Sequence, residues 1–522
     1  MLAILRWTVG LAAAWLLTAS AASPAREALD RQAADLFAGP ILRFEIRLAR
    51  PEVQKLRREP RTYVPATVLV AGQTFTNVGI HLKGAAGSTR GIDDKPALTL
   101  NFDKFNPDQT CLGLEKFHLN NSVQDESYLN EIVGSELYRR AGLPTARATH
   151  AWVTLNGRDL GLYVLKEGYD RLFLKRNFPA GKAELGNLYD GGFLQDITEE
   201  LKRDVGKGPE DRQDLQALVK AADTPVEQRQ ARLEAVLEVD RFLTFLSGQI
   251  LTDDWDGYAR NRNNYRLYFG PPTGRAVFIP HGMDQLFTET GSSIEPGWGG
   301  MLAQQVLEVP QFRDRYRQRL ASVLTNHFTP AVITNQLQNV IGRLRFAHQG
   351  RPAEEWAQLE PVLKDRQRRI LRRIANVERQ LGLTPSASPA TEIPALSDWE
   401  PRPREGRSQL EIKDWKPEQP ALHLTALSSR TVASFRTSVW LEAGEYTFSG
   451  HARCQGVKGG TGAGLRISGQ QRNAGLSGDR DWSVVTFHFR VDEDRDVELV
   501  AELEADRGEA WFEVNSLKVT RK

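Results

Sequence analysis

The chain has 522 residues, too many for one small core, which indicates two or three domains. It is 40% hydrophobic and 26% charged, a composition typical of folded rather than disordered proteins. Its 68 basic and 66 acidic residues leave a net charge of +2, so nothing in the charge favours nucleic acid or an anionic membrane as a partner.

The first residues have the layout of a signal peptide, residues 1–21. Arg6 precedes an apolar run from 7 to 17, and the small residues 19–21 follow it. The run is short for a membrane span, so we expect cleavage after Ala21, with an uncleaved anchor as the alternative. No later segment is apolar enough to cross a bilayer. The sequence therefore predicts an extracytoplasmic protein that is periplasmic, surface-bound or secreted.

Strand-like runs and a glycine-rich loop follow. Apolar and polar residues alternate over 41–48, a proline-led helix is expected over 51–58, and further strands are expected over 66–71, 74–82 and 97–102. The loop 83–91 bears Ser88 and Thr89, and its backbone N–H groups could meet phosphates. Lys83 before the loop and Lys95 after it are candidate phosphate contacts. Most loops of this kind are only turns, so that alternative stays open.

A helix is predicted over 127–141, ended by Gly142 and Pro144. Glu131 lies off its apolar stripe, either as a solvated surface carboxylate or as the partner of a loop lysine. A hairpin over 150–155 and 160–166 turns at Asn156-Gly157. Its second strand runs into Glu167, where we expect the chain to cross between two lobes.

The densest chemistry lies between residues 251 and 287. A helix starting at Asp240 leads into Asp253, Asp254 and Asp256, and the amide-rich loop 260–264 follows. The runs 265–269 and 276–280 predict a hairpin, and Asp284 comes just after it. Carboxylate and amide oxygens around one hairpin suit Mg²⁺ and an attacking hydroxyl. The alternative is an ordinary hairpin with solvated acidic ends.

The rest of the chain predicts a helical region, a linker and a second domain. Residues 290–300 are a candidate lid or substrate loop. Residues 301–382 are predicted to be helical, with an arginine-rich run that we expect to be a solvated face. Residues 386–407 are a predicted linker. Short alternating runs over 408–522 predict a β-sandwich, in which Trp440, Trp482 and Trp511 are either sugar platforms or packing residues. The two cysteines, Cys111 and Cys454, are expected as buried thiols, with an inter-domain disulfide as the alternative.

Residues 44–287 resemble the spore-coat protein H (CotH) kinase-like family, in four blocks of matching order and spacing. The blocks are VGIHLKGAAGSTR, the stretch from YLNEIVGSELYRRAGLP through TLNGRDLGLYVLKEGYD, DWDGYARNRNNYRLYF and VFIPHGMDQLF. The resemblance implies a two-lobed, atypical protein-kinase-like α+β domain over 40–385. The phrases AGEYTFSGHAR, DWSVVTFHFRV and GEAWFEVNSLKV resemble jelly-roll carbohydrate-binding modules, which makes a polysaccharide a candidate partner of 408–522.

The resemblance also implies site residues. Asp256 takes the place of the catalytic aspartate, and Asn264 and Asp284 take the places of metal ligands. Asn261 competes with Asn264, because its offset from Asp256 equals that in ordinary kinase catalytic loops. The implied ATP contacts are Lys83, Lys95, Glu131 and Glu167.

The resemblance implies a secreted kinase that uses ATP and Mg²⁺, or Mn²⁺, to phosphorylate Ser and Thr hydroxyls of an extracytoplasmic protein. One departure is visible, since the family often has Trp-Asp where His281-Gly282 stand here. That change favours the alternative of a catalytically silent scaffold, attached to an envelope or coat through a glycan-binding sandwich. Nucleotidyl transfer by the same fold is a third possibility.

Overall fold

The computed structural model divides into two compact units, with the break between Gly382 and Leu383. The described residues are 24–85, 87–178, 184–208, 212–271, 273–383, 392–393, 396, 399–417, 419–441, 443–472, 475–492 and 495–521. The predicted signal peptide, residues 1–21, lies outside them. Among the described residues, no helix has the length and apolar character needed to cross a membrane.

Seven strands of the first unit close into a barrel in the order β1-β2-β3-β4-β5-β7-β6. They are β1 (Leu42–Arg47), β2 (Val64–Val70), β3 (Gln73–Lys83), β4 (Ala97–Asn101), β5 (Lys116–Asn120), β6 (Ala148–Leu155) and β7 (Arg158–Glu167). Strand β1 closes the barrel by pairing parallel to β6. Alternate residues such as Leu82, Leu119 and Leu165 fill the interior. Because side chains alternate along a strand, Lys83 and Lys166 face outward.

A second sheet and twelve helices complete the first unit as the described residues show it. The sheet has the order β11-β10-β8-β9, from strands β8 (Asn187–Asp190), β9 (Lys202–Val205), β10 (Tyr265–Phe269) and β11 (Ala276–Pro280). The helices are α1 (Pro24–Ala38), α2 (Arg50–Arg58), α3 (Asn130–Arg140), α4 (Arg171–Asn177), α5 (Gln213–Ala222), α6 (Val226–Val236), α7 (Val239–Leu251), α8 (Tyr258–Asn261), α9 (Met301–Glu308), α10 (Pro310–His327), α11 (Pro330–Ala347) and α12 (Ala353–Gln380).

Helix α3 begins later than the predicted start at residue 127. Asp125 explains the delay, because its carboxylate accepts hydrogen bonds from the backbone N–H groups of Ser127 and Asn130 at 3.1 and 2.9 Å. These bonds form a turn ahead of the helix and satisfy N–H groups that have no partner within it. The turn fixes the entry of the helix that carries Glu131.

The prediction of a solvated arginine-rich face on α12 is wrong for Arg373 and Arg366, whereas the side chains of Arg368 and Arg369 are 32% and 43% exposed. Arg373 is 1% exposed, and its guanidinium donates to the carbonyl oxygens of Ile250 at 2.5 and 3.0 Å and Ser292 at 2.5 Å. Arg366 donates to the carbonyl oxygen of Leu286. Charge alone predicted exposure, whereas backbone carbonyls in loops can satisfy a buried guanidinium. The helix thereby holds the segment that follows Asp284.

The second unit is a β-sandwich of two sheets. Its strands are β12 (Glu392–Ile393), β13 (Glu400–Glu405), β14 (Ser408–Lys416), β15 (Gln419–Ala426), β16 (Thr431–Leu441), β17 (Gly444–Lys458), β18 (Gly462–Ile467), β19 (Gly478–Val491), β20 (Arg495–Ala505), β21 (Arg507–Glu513) and β22 (Lys518–Arg521). Strand β13 pairs with β16, so the C-terminal part of the predicted linker 386–407 belongs to the sandwich. Cys454 lies in its core, and both cysteines are free, buried thiols.

The predicted aromatic platforms of the sandwich make packing contacts. Trp511 stacks on His423 with ring centroids 4.7 Å apart, and the guanidinium of Arg453 lies 4.5 Å from the Trp511 ring centre. Trp482 contacts Trp415 with centroids 4.6 Å apart. The side chain of Trp440 lies outside the described part of the chain. These contacts keep the packing interpretation open for both described rings.

We expect Arg373→Met to lower the free energy of unfolding of the first unit by about 2–4 kcal/mol, because it leaves buried carbonyl oxygens without donors. Chemical denaturation followed by tryptophan fluorescence measures the loss. Arg379→Met is the matched control on the same helix, and it should change stability by no more than about 0.5 kcal/mol because Arg379 is exposed. Equal effects of the two variants would contradict a structural role for Arg373.

Candidate active site

A buried ion pair joins the barrel to helix α3. The ammonium of Lys166 on β7 pairs with the Glu131 carboxylate, and both side chains are at most 3% exposed. Burial alone would lower the pKa of Lys166, but Glu131, Tyr169 and Asp284 together outweigh burial and the pKa is raised. The second Glu131 oxygen accepts a hydrogen bond from the backbone N–H of Met283 at 3.1 Å. Glu131 therefore connects β7 to the segment that carries Asp284.

Lys83 lies beside this pair rather than within it. Its Nζ donates to the side-chain oxygen of Asn120 at 2.5 Å. Burial and the charge of Lys166 lower the pKa of Lys83 to about 8, against the opposing effects of Glu131 and Asp284. Two lysines therefore converge on the outer face of the barrel. The expectation that Lys83 or Lys95 pairs with Glu131 is wrong, because the partner is Lys166.

Asp284 follows β11 and faces the same cluster. Burial raises the pKa of its carboxyl to about 6, with Glu131 adding to the effect and the two lysines opposing it. Its backbone oxygen accepts a hydrogen bond from the Asn130 side chain at 2.8 Å. Two neighbouring residues of α3 therefore act on Asp284: Asn130 holds its backbone, and Glu131 raises the pKa of its carboxyl.

Asp256 is held by three side-chain amides in the loop before β10. Asn261 donates to one carboxylate oxygen at 2.9 Å, and Asn263 and Asn264 donate to the other at 3.2 and 2.9 Å. These three hydrogen bonds fix the direction of the carboxylate. Both competing asparagines, Asn261 and Asn264, thus contact Asp256.

A third carboxylate lies near Asp256 and Asp284. Asp254 is buried, and burial followed by Asp256 raises its pKa well above the ordinary value, with Asp284 contributing as well. The amide of Gln249 donates to Asp254 at 3.2 Å. In the sequence Asp254 belongs to an acidic cluster with Asp253 and Asp256, but its residue type and position alone predicted no role for it. Asp254 therefore lies within electrostatic range of both Asp256 and Asp284.

The His281-Gly282 pair has a geometric explanation. The backbone N–H of His281 donates to the carbonyl oxygen of Asn264 at 3.1 Å, which brings the two ends of the hairpin together. Gly282 has a φ of +59°, and a Cβ atom there would lie 2.2 Å from Asn264 Oδ1. Any side chain at 282 would therefore displace Asn264. His281 contacts Lys166 through Nδ1 at 3.4 Å, and burial lowers its pKa well below the ordinary value.

Asp284 and Asn264 carry oxygen atoms of the kind that bind a divalent cation. The Asn264 amide nitrogen is used by Asp256, which leaves Oδ1 directed at Gly282, and Asp284 supplies a buried carboxylate whose pKa is raised. Within the described ranges, no group of three or more His, Cys, Asp or Glu side chains could hold a metal. A Mg²⁺ site here would therefore consist of Asp284, Asn264 and water, as hard cations accept.

Two predicted contacts lie outside the cluster. The Glu167 carboxylate is buried between Arg147 and Arg176 at 3.0 and 2.5 Å. Burial would raise its pKa, but the two arginines lower it below the ordinary value. The Lys95 ammonium donates to the hydroxyl of Tyr128 at 2.9 Å. Glu167 is thus an anchor at the end of β7 rather than a group directed at the cluster, and among the described residues no contact joins Lys95 to the cluster.

Lys166 is the functional candidate that sequence reasoning missed. The sequence did contain an indication of its burial, because Lys166 ends a mostly apolar predicted strand and comes directly after the interior-facing Leu165. A lysine buried on a strand requires a partner. The sequence did not show which carboxylate would reach it, since Glu131 lies 35 residues earlier and meets it only through the packing of α3.

Comparison with known proteins identifies the family. The profile described as CotH kinase protein matches residues 80–382, more than half of the chain. The chain belongs to this family. Inner spore coat protein H of Bacillus subtilis (strain 168) is 24% identical over 255 residues, which cover 45% of this chain and 70% of that protein. The inner spore coat protein H-like protein of the same strain is 24% identical over 225 residues, which cover 42% and 66% of the two chains.

The CotH match makes this chain a kinase-like protein of mixed helix and strand content, followed by an all-β unit. Among solved structures, the Helicobacter pylori proinflammatory kinase CtkA aligns with a TM-score of 0.22 and 12% identity, over 58% of this chain and 98% of that one. The profile ends at residue 382, so the sandwich lies outside the CotH match.

We expect Gly282→Ala to destabilise the first unit by about 1–2 kcal/mol, because a side chain in the left-handed region is strained and here meets Asn264. Thermal and chemical unfolding measure the change. Gly291→Ala is the matched control, since a Cβ there meets nothing within 4 Å and its φ is not positive. A Gly282→Ala variant as stable as Gly291→Ala would contradict the close approach to Asn264.

Asp170 is the N-cap residue of helix α4, three residues after Glu167. We expect it to make the free energy of unfolding of the first unit depend on pH. Burial raises its pKa to about 7, so the folded state holds a proton that the unfolded state loses near pH 4. Stability due to this group therefore falls as pH rises from about 4 to 7 and is constant above that. Asp170→Asn keeps the hydrogen bond to the Phe173 N–H and removes the charge.

We expect Asp170→Asn to be more stable than the parent protein at pH 8, by at most about 4 kcal/mol, and to lose that advantage near pH 4. Unfolding curves across this range measure the difference. A gain of equal size at both pH values would point to packing rather than to the charge of Asp170.

Proposed function

We propose that this CotH family member is a secreted phosphotransferase that moves the γ-phosphoryl group of ATP to Ser or Thr hydroxyls of an extracytoplasmic protein. The observation that carries the proposal is the convergence of Lys83, Lys166 and Asp284 around Glu131, next to an Asp256 fixed by amides. Phosphoryl transfer depends mainly on such positioning and charge neutralisation. The names of the spore-coat relatives support a location outside the cytoplasm.

In this proposal the lysines and the acids have separate roles. Lys83 and Lys166 would neutralise phosphate oxygens. The pKa of Lys83 is lowered because its ammonium is buried beside Lys166, and a bound phosphate would stabilise the charged form. Mg²⁺, held by Asp284 and Asn264, would supply further neutralisation of the triphosphate charge. Glu131 would keep Lys166 directed and charged.

Asp256 would orient the acceptor hydroxyl. As the hydroxyl oxygen bonds to the γ-phosphorus, the bond from that phosphorus to the β,γ-bridging oxygen breaks and ADP leaves with the electron pair. The hydroxyl proton passes to the Asp256 carboxylate and then to water. The amides of Asn261 and Asn263 hold this carboxylate in one direction, which a general base needs before reaction.

The change to His281-Gly282 does not by itself favour the silent scaffold. Gly282 is the residue that the approach of Asn264 requires, and His281 contacts the catalytic candidate Lys166. An aspartate at 282 would need to displace Asn264. The scaffold, with a glycan-binding sandwich, is therefore kept as an outcome of the experiment rather than as a second proposal.

The test incubates protein from Ser23 onward with γ-labelled or, separately, α-labelled ATP, with Mg²⁺ or Mn²⁺, and follows label in the protein itself and in an added acceptor protein. We expect label from the γ position only. Lys166→Met, Asp256→Ala and Asp284→Ala should each reduce its rate by about 10²–10⁴, the usual range for losing an electrostatic or general-base group.

Lys175→Met is the control for the lysine variant, because Lys175 is exposed and outside the cluster. Label from the α position would show nucleotidyl transfer instead. No label together with no nucleotide-induced thermal shift would support the scaffold, and binding of polysaccharides by residues 408–522 would then be measured. Full activity of Asp256→Ala would remove Asp256 from the mechanism.

A further inference from the structure

A second concave site lies on the first unit, apart from the cluster. It is a groove of about 670 Å³ between the turn before α3, the β6–β7 hairpin and helix α12. Glu126 and Tyr128 of the turn, Trp152 of β6 and Leu359 of α12 line it, together with Lys95. Lys83, Lys166, Glu131, Asp256 and Asp284 do not. Its size is that of sites for small molecules.

Lys95 is the unusual member of this groove. Its ammonium has three N–H donors, and it makes one hydrogen bond, to the hydroxyl of Tyr128. It also lies 5.1 Å from the ring centres of Tyr128 and Tyr163. No carboxylate in the described part of the chain forms an ion pair with it, and burial alone lowers its pKa to about 8. Aromatic rings replace only part of the stabilisation that an anion would give.

The other charged residues that line the groove are Arg351 and the carboxylates Glu126, Asp159 and Glu355. Arg351 donates to the Glu355 carboxylate at 2.6 and 3.1 Å and to Asp159 at 2.9 Å, and its guanidinium stacks 4.0 Å from the Trp152 ring centre. Arg351 thus has two carboxylate partners, and Glu126, which also lines the groove, is exposed. Lys95 is the cation of the groove that has no carboxylate partner in the described part of the chain.

Tyr128 holds its hydroxyl beside Lys95 by a constrained backbone. Its φ is +57°, a left-handed value that is costly for an aromatic residue. Its carbonyl oxygen contacts His150 Nε2 at 2.9 Å, and its N–H donates to the carbonyl oxygen of Asp125 at 3.1 Å. The surrounding structure thus fixes Tyr128 in a strained position, as is common where a protein holds a ligand.

We propose that this groove binds a small ligand through a carboxylate or phosphate group, which contacts Lys95 Nζ and the hydroxyl of Tyr128. The anion supplies the counter-charge and the hydrogen-bond acceptors that the ammonium lacks. The site is independent of the proposed ATP site, and its ligand does not take part in phosphoryl transfer.

The test measures the reactivity of the Lys95 amine. The full-length mature protein is treated briefly with an amine-acetylating N-hydroxysuccinimide ester near pH 8, at constant ionic strength, with inorganic phosphate, formate or chloride. Mass spectrometry then quantifies acetylation at each lysine. We expect the bound anion to protect Lys95 about threefold when roughly two-thirds of the sites are occupied. Protection by phosphate but not formate would identify a phosphate site, and the reverse a carboxylate site.

Lys104 is the matched internal control, because its ammonium also lies 5.1 Å from a tyrosine ring centre but it is exposed and outside the groove. Its acetylation should not change. Repeating the measurement with Lys83→Gln separates the groove from the cluster, and protection of Lys95 should persist. Absence of protection by either anion, equal protection of Lys104, or loss of protection in Lys83→Gln would each overturn the proposal.

Discussion

The ion pair between Lys166 and Glu131 is the contact on which the site depends. It joins a barrel strand to helix α3, and Glu131 also accepts the N–H of Met283. A buried pair of this kind gives little net stability, because desolvation offsets much of the attraction. Its value lies in geometry. Loss of either partner would leave the other charge buried and unpaired, so strand, helix and the Asp284 segment are held in one relative arrangement.

That arrangement is reinforced from two sides. Asn130 holds the backbone oxygen of Asp284 from α3, and α12 holds the following residues through Arg366 and Arg373. Backbone carbonyls in loops have no partners in regular structure and need donors when buried. The guanidinium groups supply them. The chain segment around Asp284 is thus fixed by side chains from helices that lie far from it in sequence, and helix α12 is part of the site's support although it carries none of its chemistry.

Local sequence patterns predicted the strands, the hairpins and helix α7, because hydrophobic periodicity and turn residues depend only on the sequence of each segment. They also placed Asp256, Asn264 and Asp284 around one hairpin. Local patterns could not predict that Glu131 pairs with Lys166, because this contact depends on how α3 packs on the barrel. The arginine run of α12 was misjudged for the same reason: a charged residue indicates exposure only when nothing nearby can satisfy it, and Arg373 has the carbonyl oxygens of Ile250 and Ser292.

The buried acids Asp254 and Asp284 are a source of electrostatic repulsion in the site. Asp254 and Asp284 both have raised pKa values because they are buried near other carboxylates. Such repulsion costs folding free energy, and interactions within the protein relieve it only in part. Lys83 and Lys166 stabilise the charged form of Asp284, whereas Asp254 has mainly a hydrogen bond from the Gln249 amide. A fold selected for stability alone would replace these carboxylates. In the function that we propose, Mg²⁺ and the triphosphate of ATP would together balance the charges of these acids and of the two lysines.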